Sequence, residues 1–216
     1  FRQNKEEMTV KLEQMDELYA EAARGGGAEA LERLAKRNKM PIRERIAWAL
    51  DPDSPFLEIS PLAAWRSHVA IGSGFVVGVG VIEGVECVIL GHDPSVRAGA
   101  FNHFNSKKLM RGLEIARENR LPYVQFVESA GADLRGGGGG GGGGGTPVDP
   151  LLRVEGHFAE SGRLFYEITE LSKMRIPTIS LVFGASTAGG AYQPGMSDYN
   201  IFVKNQAMVS LGGPPL

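Results

Sequence analysis

The chain has 216 residues, of which 43% are hydrophobic and 22% charged, so it can bury a substantial core within one domain or, at most, two. A net charge of −2 gives no electrostatic reason to expect a nucleic acid or an anionic membrane as partner. One cysteine forms no intrachain disulfide, and Cys87, inside the apolar run 85–90, is expected to be a small buried hydrophobe.

The first 40 residues predict a helical hairpin. Apolar residues at three- and four-residue steps predict a helix over residues 5–24, three glycines end it, and residues 28–39 resume the helical pattern. The apolar stripe of the first helix consists of Met8, Leu12, Met15, Tyr19 and Ala22. We expect this stripe to pack, and a calmodulin-type or membrane-surface helix is the alternative. We expect a domain boundary between residues 1–40 and 41–216.

A short helix is predicted to begin at Pro41, and we expect its triplet Arg43-Glu44-Arg45 to be a solvated ion-pair face. After Gly74 the pattern becomes extended, with a hairpin that turns at Glu83-Gly84. Strands are predicted over residues 75–82, 85–90, 122–128, 177–183, 199–203 and 208–211, with helices over 106–119 and from Phe158 past Leu171. This alternation predicts an α/β core with right-handed crossovers.

Ten consecutive glycines occupy residues 136–145. Such a run is costly in backbone entropy to order, so we interpret it as a flexible loop or an engineered replacement for one. It lacks the Lys-Ser/Thr ending of a phosphate-binding loop.

Two predicted strands run into turns made of serine, alanine and glycine. The first turn is Ser129-Ala130-Gly131-Ala132, and the second is the run 184–192, which leads into a helix. Small residues let a ligand approach the main chain, and a helix start presents unpaired N–H groups, which are suited to stabilise an oxyanion on a thioester carbonyl. Tight helix–sheet packing at glycines explains the composition equally well.

An ordered series of motifs resembles a known family. The motifs are Pro41-Ile-Arg-Glu-Arg-Ile46, Ser54-Pro-Phe-Leu-Glu-Ile-Ser-Pro-Leu62, Asn119-Arg-Leu-Pro122, Ser186-Thr-Ala-Gly-Gly-Ala-Tyr-Gln-Pro-Gly-Met-Ser-Asp198 and Leu211-Gly-Gly-Pro-Pro-Leu216. They are similar to the carboxyltransferase β subunits of propionyl-CoA, methylcrotonyl-CoA and related biotin-dependent acyl-CoA carboxylases. The two small-residue turns resemble the paired oxyanion loops of the wider crotonase superfamily.

The resemblance implies a crotonase-like β-β-α spiral and the transfer of CO2 from carboxybiotin to the α carbon of an acyl-CoA. In that scheme the ureido nitrogen of biotin removes the α proton, so no side chain need be the base. It assigns the oxyanion-donating amides to Gly189 and Gly190, with Ala130 and Gly131 in the companion loop. The acyl-CoA contacts that it implies are Ser129, Ala132, Ala188, Ala191 and Tyr192. The family's subunit has two related halves, and this chain matches the first, so we expect the isolated chain to be inactive.

CoA carries phosphates, and four cations are candidates to bind them: Arg97, Lys107, Lys108 and Arg111. The last three lie early in a predicted helix, where the dipole disfavours cations. The alternative for these three is a solvated basic face, with Arg111 paired to Glu114 at three-residue spacing, and Arg97 has the same alternative of an ordinary solvated cation.

The expected cofactor is biotin, carried by a partner subunit or domain that also supplies biotin carboxylase, and the expected assembly is a homo-oligomer of β subunits. No metal is expected, because no ligand spacing is recognised. The compartment implied is the cytoplasm of a bacterium or the mitochondrial matrix of a eukaryote.

Three other functions stay open. A biotin-independent crotonase-like hydrolase or isomerase would need Glu128 or Asp133 as acid or base. A non-catalytic assembly subunit would depend on the N-terminal helices. A serine peptidase would join His92, His103 or His157 to Ser129 or Ser186, although no Gly-x-Ser-x-Gly elbow occurs.

Overall fold

The computed structural model describes residues 2–132 and 158–212. The helices are α1 (Arg2–Ala23), α2 (Ala28–Ala35), α3 (Ile42–Ala49), α4 (His103–Asn119), α5 (Phe158–Lys173) and α6 (Tyr192–Gly195). The strands are β1 (Leu57–Glu58), β2 (Phe75–Ile82), β3 (Val85–His92), β4 (Tyr123–Ser129), β5 (Thr178–Thr187), β6 (Tyr199–Phe202) and β7 (Met208–Ser210). Among the described residues, 3-10 turns lie at Arg97–Gly99 and Ala188–Ala191.

The seven strands of the described part of the chain form one mixed sheet in the order β1-β2-β3-β4-β5-β6, with β7 also paired to β5. Strands β1, β2 and β3 are antiparallel neighbours, whereas β3, β4, β5, β6 and β7 pair in parallel. The parallel strands β3 and β4 are joined through α4, and β4 and β5 are joined through a stretch that includes α5. The predicted α/β class is confirmed.

The β2–β3 hairpin turns where the sequence predicted. Glu83 and Gly84 both have positive φ, of 51° and 74°, which matches the twist of a two-residue hairpin turn. Both backbone N–H groups donate to the carboxylate of Asp51, each at 2.7 Å. Asp51 therefore fixes the hairpin from the segment that follows α3.

Alternating residues of the strands build two cores. One cluster packs against α4 and α5 and contains Val77, Leu90, Leu113, Tyr123 and Ile168 among its fully or nearly fully buried members. The other lies on the opposite face, beneath α3, and contains Ile42, Ile46, Ile89, Val124 and Phe126. Cys87 belongs to this second cluster, as predicted. Because β4 and most of β3 are covered on both faces, they read as nearly continuous apolar runs, whereas β6 is exposed along its length.

The Arg43-Glu44-Arg45 triplet is not the solvated face that the sequence suggested. Arg45 is 4% exposed, and its Nη1 donates to Glu128 at 2.8 Å. Arg43 makes a bidentate pair with Glu58, at 2.6 and 2.9 Å. That prediction was wrong because the acidic partners come from distant strands, and spacing within a helix carries no signal of them.

Lys108 points inward from α4. Its ammonium is buried, donates to the carbonyl of Phe75 at 2.8 Å and lies 3.6 Å from Glu58. Burial lowers the pKa of Lys108 to about 8, and Glu58 partly opposes that shift. Neither a solvated basic face nor an exposed phosphate contact describes this side chain.

The first helix, α1, lies almost entirely in solvent. Only Ala22 is buried, while Met8, Leu12, Met15 and Tyr19 remain 36–55% exposed. Within residues 2–132 and 158–212 the stripe packs only through Ala22, so the expectation that the whole stripe packs was wrong for this chain. No described helix is long and apolar enough to cross a membrane.

Most other element bounds agree with the prediction within a few residues. Two elements differ by four residues: α2 was predicted to reach Lys39 and ends at Ala35, and β5 was predicted to end at Phe183 and continues to Thr187. The end of β5 has a structural reason. Its extension pairs Ala185, Ser186 and Thr187 with β7, which lies far along the chain and so could not be anticipated from local pattern. The glycine run at 136–145 lies outside the described residues.

Gly91 tests the packing of α3 on the sheet. A Cβ at Gly91 would overlap the side chain of Ile42. We predict that Gly91→Ala lowers the free energy of unfolding by about 1–3 kcal/mol, the usual range for overpacking a core. Chemical denaturation of the intact protein measures this.

Gly162 in α5 is the matched control, because a Cβ there meets nothing within 4 Å. Gly162→Ala should stabilise the protein by about 0.5–1 kcal/mol through reduced backbone entropy of the unfolded chain. Equal effects of the two substitutions would contradict the close approach of α3 to β3.

Candidate active site

The two small-residue turns meet at the carboxyl ends of neighbouring parallel strands. Ser129 of β4 is paired with Ser186 of β5. A Cβ built on Gly190 would lie 3.2 Å from the Cβ of Ser129, and one built on Gly131 would lie 3.3 Å from the carbonyl oxygen of Thr187. The sequence predicted that both strand ends point the same way, and the structure adds that the turns are in contact.

The second turn begins at a strained residue. Ala188 has φ of 52°, in the left-handed region that residues other than glycine rarely adopt. The 3-10 turn Ala188–Ala191 then leads directly into α6. In such a turn the first N–H able to bond backwards belongs to the third residue, which is Gly190. The Gly189 amide precedes it, and Gly189 is exposed with open space around its Cβ position.

The companion turn has its amides engaged. Ala130 donates its N–H to the carbonyl of Ala98 at 3.1 Å, and Gly131 donates to Oγ of Ser129 at 3.2 Å. Gly131 has φ of 89°, a conformation that glycine adopts at no steric cost. Its carbonyl accepts from the N–H of Phe101 at 2.8 Å. Ala130 and Gly131 are therefore not free oxyanion donors in this structure, because their amides hold the turn in place.

Backbone strain also marks the segment beside the companion turn. Arg97 and Ala98 are consecutive residues with positive φ, of 46° and 54°. Conformations of this kind cost free energy and concentrate at functional sites. With the backbone in this conformation, the carbonyl of Ala98 accepts a hydrogen bond from the N–H of Ala130. Arg97 is half-buried next to the turn.

The remaining residues that were predicted to contact the acyl-CoA differ in how exposed they are. Tyr192 is 48% exposed, with its ring 4.8 Å from that of Phe165 in α5. Ala132 and Ala188 are exposed, whereas Ser129 and Ala191 are buried. Arg111 lies on the outer side of α4, where it pairs with Glu114 at 3.3 Å, as the sequence suggested.

An aromatic stack lies beneath the companion turn. His92, at the end of β3, is fully buried, with its ring stacked on Phe75 at 4.4 Å and edge-on to Phe101 at 5.4 Å. Burial lowers the pKa of His92 to about 3. Because Phe101 bonds to Gly131, this neutral stack supports the turn from below.

A buried ionic cluster sits one residue before the companion turn. Glu128 accepts from Lys39 through one carboxylate oxygen and from Arg45 through the other, the latter at 2.8 Å. The Arg45 guanidinium also stacks over the ring of Phe183 at 4.5 Å. Two cations thus hold the one carboxylate in place, and they come from the loop before α3 and from α3 itself.

A cavity of about 300 Å³ opens beside this cluster. Lys39, Met40, Arg45, Trp48, Phe183 and Val203 are among its lining residues. Neither small-residue turn contributes to it. The cavity and the turns are therefore separate features.

A buried polar network lies beneath the second turn, and sequence reasoning missed it. Gln125 donates to Oγ of Ser180 at 2.7 Å, to Oγ of Ser197 at 3.0 Å and to the carbonyl of Gln193 at 3.2 Å. Ser186 donates to the carbonyl of Gly190 at 2.8 Å. A signal for this network was present in the sequence. Polar residues recur at inward positions of the apolar strands β4 and β5, and burying a polar side chain is unfavourable unless it has a hydrogen-bond partner.

A serine-peptidase triad that uses His92 is not assembled among the described residues, because neither ring nitrogen of His92 has a hydrogen-bond partner there. His92 lies within the aromatic stack, and Ser186 donates its hydroxyl to a backbone carbonyl. His157 lies outside the described residues. No cluster of three or more metal-binding side chains occurs in the described part of the chain.

Comparison with known proteins decides the family. The model of the carboxyl transferase domain matches residues 33–216. The chain belongs to the carboxyl transferase family. The match begins inside the segment assigned above to the N-terminal extension, so the boundary at residue 40 stays a prediction.

Curated relatives of this carboxyl transferase chain are carboxylase subunits. A probable biotin-dependent acyl-coenzyme A carboxylase β2 subunit of Mycobacterium tuberculosis is 44% identical over 97% of this chain and 36% of its own length. A probable mitochondrial methylcrotonoyl-CoA carboxylase β chain of Drosophila melanogaster is 39% identical over all of this chain and 36% of its own. The chain therefore spans about a third of the length of these relatives.

Solved structures agree on the fold. The β subunit of geranyl-CoA carboxylase from P. aeruginosa superposes with a TM-score of 0.84 at 37% identity, covering 100% of this chain and 38% of that one. The transcarboxylase 12S structure gives 0.74 at 23% identity, covering 96% and 38%. The predicted crotonase-like fold is confirmed.

We predict that Glu128→Gln destabilises the protein by about 3 kcal/mol, because it leaves two largely buried cations without their counter-charge. Glu86→Gln, at an exposed position of β3, is the matched control and should change the free energy of unfolding by less than about 0.5 kcal/mol. Denaturation of the intact proteins measures both. A Glu128 variant as stable as the Glu86 control would rule out a structural role for the cluster.

The buried imidazole predicts acid sensitivity. Below pH 6.5 an unfolded histidine takes up a proton, whereas His92 in the folded state does so only near pH 3, so stability falls as the pH drops through this window. His92→Phe should remove a slope of up to about 1.4 kcal/mol per pH unit.

The measurement is the free energy of unfolding between pH 7 and 4. The control is His68→Phe, which replaces an exposed histidine and should leave the slope as in the unaltered protein. Parallel pH profiles for His92→Phe and the unaltered protein would show that His92 is accessible to protons in the folded state.

Proposed function

We propose that the intact protein is the carboxyltransferase β subunit of a biotin-dependent acyl-CoA carboxylase, with this chain binding the acyl-CoA. The observation that carries the proposal is the contact between the turns at Ser129–Ala132 and Ala188–Ala191. It presents main-chain groups where two parallel strands end. The relatives named above support the reaction class.

The amides of Gly189 and Gly190 are the proposed oxyanion donors. Gly189 is the better placed of the two, because it faces open space and its N–H precedes the first bond of the 3-10 turn, whereas the Gly190 N–H is the first that is able to bond within the turn. Abstraction of the α proton puts negative charge on the thioester oxygen, and a fixed N–H donor stabilises that charge more than it stabilises the ground state. The donors are backbone N–H groups, which do not titrate, so their ability to donate does not change with pH across the working range.

Bound biotin supplies the carboxyl group and the base that removes the α proton. The described turn residues fit such chemistry, because they are serine, alanine and glycine and carry no side chain that titrates near neutral pH. This chain's task is then to bind the thioester, orient its carbonyl toward Gly189 and Gly190, and exclude other reactions.

The other substrate contacts follow from position. Ala130 and Gly131 form the facing wall, Tyr192 borders the acyl group, and small residues at the turns leave space for the thioester: Ser129, Ala132, Ala188 and Ala191. Arg97 and Arg111 are proposed for the CoA phosphates. Lys108 leaves this set, because its ammonium is buried against the Phe75 carbonyl.

The proposed partner is a subunit or domain that carries biotin and biotin carboxylase, and the proposed assembly is a homo-oligomer. The related transcarboxylase 12S core is a hexamer that was solved with methylmalonyl-coenzyme A bound, which supports both the oligomer and the CoA ester. Relatives occur in bacteria and in mitochondria, which supports a compartment of either kind.

The alternative of a biotin-independent hydrolase or isomerase is less well supported. It requires Glu128 or Asp133 as acid or base. Both carboxylate oxygens of Glu128 are engaged by cations, and Asp133 lies outside the described residues. An assembly role for the exposed stripe of α1 remains compatible with carboxyltransfer and does not replace it.

Replacing Gly190 by proline tests the oxyanion role, because proline lacks the N–H. We expect kcat for acyl-CoA carboxylation by the intact enzyme with its biotin-carrying partner to fall by about 10²–10³-fold. Steady-state assays with propionyl-CoA and methylcrotonyl-CoA measure it.

Gly190→Ala is the matched comparison. It adds the same Cβ, 3.2 Å from that of Ser129, but keeps the N–H, so it measures the steric part of the loss. Equal kcat values for the two variants would contradict the donor role of the Gly190 amide. Turnover of an acyl-CoA without biotin would favour the hydrolase or isomerase instead.

A further inference from the structure

The turn that carries Gly189 and Gly190 cannot hold its own geometry. The 3-10 turn and α6 together comprise eight residues, from Ala188 to Gly195. Helical segments this short are unstable in isolation, because nucleation costs more than their few hydrogen bonds return. Its orientation must therefore come from contacts with the sheet.

Side chains of β4, of β5 and of the segment that follows α6 supply those contacts through hydrogen bonds to backbone carbonyls. Ser186 donates to the Gly190 oxygen at 2.8 Å. The backbone carbonyl oxygen of Gln193 accepts hydrogen bonds from Oγ of Ser197 at 2.8 Å and from Nε2 of Gln125 at 3.2 Å. In a helical turn the carbonyls and N–H groups point in opposite directions along the axis. Donors that hold the carbonyls toward the sheet therefore direct the N–H groups at the start of the turn away from the sheet.

Stability alone does not account for this network. Ser186, Gln125 and Gln193 are each fully buried. Both amide atoms of the Gln193 side chain lack a hydrogen-bond partner within the described residues, and such unsatisfied groups destabilise a core. Apolar side chains would fill the same space at lower cost, so the hydroxyl and amide donors serve the placement of the turn.

We propose that Ser186 is a positioning residue for the oxyanion turn, acting through its hydrogen bond to the Gly190 carbonyl, with Gln125 and Ser197 holding the Gln193 carbonyl in the same way. The proposal rests on the carboxyltransferase function above. It assigns Ser186 no contact with substrate. The residue acts by fixing the peptide plane that joins Gly190 to Ala191, and through it the helical conformation of the turn.

Ser186→Ala in the intact enzyme with its biotin-carrying partner is the test. We expect kcat for acyl-CoA carboxylation to fall about tenfold, the factor that loss of one hydrogen bond supplies, with KM for the acyl-CoA changed less than twofold. Ser186→Thr keeps a hydroxyl and should restore kcat. An unchanged kcat in Ser186→Ala, or equal losses in the alanine and threonine variants, overturns the proposal.

Ser210→Ala is the matched control. Ser210 lies in β7 within one residue of Ser186 in the β5–β7 register, and its buried hydroxyl has no partner in the described part of the chain. It should keep the kcat of the unaltered enzyme. If Ser186→Ala does not fold, Ser197→Ala gives the second test, with the same expected fall in kcat and the same overturning result.

Amide hydrogen exchange separates this proposal from the proposed function. Peptides covering residues 188–195 should exchange about tenfold faster in Ser186→Ala than in Ser210→Ala, whatever reaction the enzyme catalyses. If the unaltered enzyme does not carboxylate acyl-CoA, the proposed function fails while this readout still judges the positioning role. Equal exchange in the two variants overturns that role.

Discussion

The parallel pairing of β4 with β5 is the constraint on which the site depends. Ser129 faces Ser186 across the pair, and both strands end immediately afterwards. Since parallel strands finish at the same edge of a sheet, ligand sites form where their carboxyl ends adjoin. The close approach of Gly190 to Ser129 leaves little room for a side chain at position 190, where a Cβ would lie 3.2 Å from that of Ser129. Glycine and serine at these positions are consequences of that approach.

The N-terminal part of the chain is tied to the same edge by charge. Lys39 and Arg45 both bond to Glu128, which immediately precedes Ser129. Moving either cation away would leave part of the negative charge of the buried carboxylate unbalanced. The position of α3 relative to the end of β4 is therefore fixed. The family match beginning at residue 33 includes Lys39 and Arg45, which is consistent with these residues being part of the domain that carries the site.

Elements of regular structure could be predicted because their signals are local. The hairpin at Glu83-Gly84, the helix that became α4 and the α/β class all follow from turn chemistry and periodicity. The burial of Arg45 and Lys108 could not be predicted, because their partners Glu128 and Glu58 are distant in sequence. The prediction of where β5 ends failed for the same reason, because the last residues of β5 pair with β7, which lies beyond the turn in sequence.

The candidate site was found through the resemblance more than through residue chemistry, and the structure gives the physical reason. Its proposed working groups are main-chain amides, which every residue except proline possesses. What distinguishes them is orientation, set by strained φ at Ala188 and by carbonyl partners such as Ser186. Both features arise only when β5 and the turn are folded together, so no pattern of side chains in the sequence encodes them directly. A site of this kind depends on how precisely its turn is held, and the buried hydroxyls beneath it are the groups in this chain that hold it.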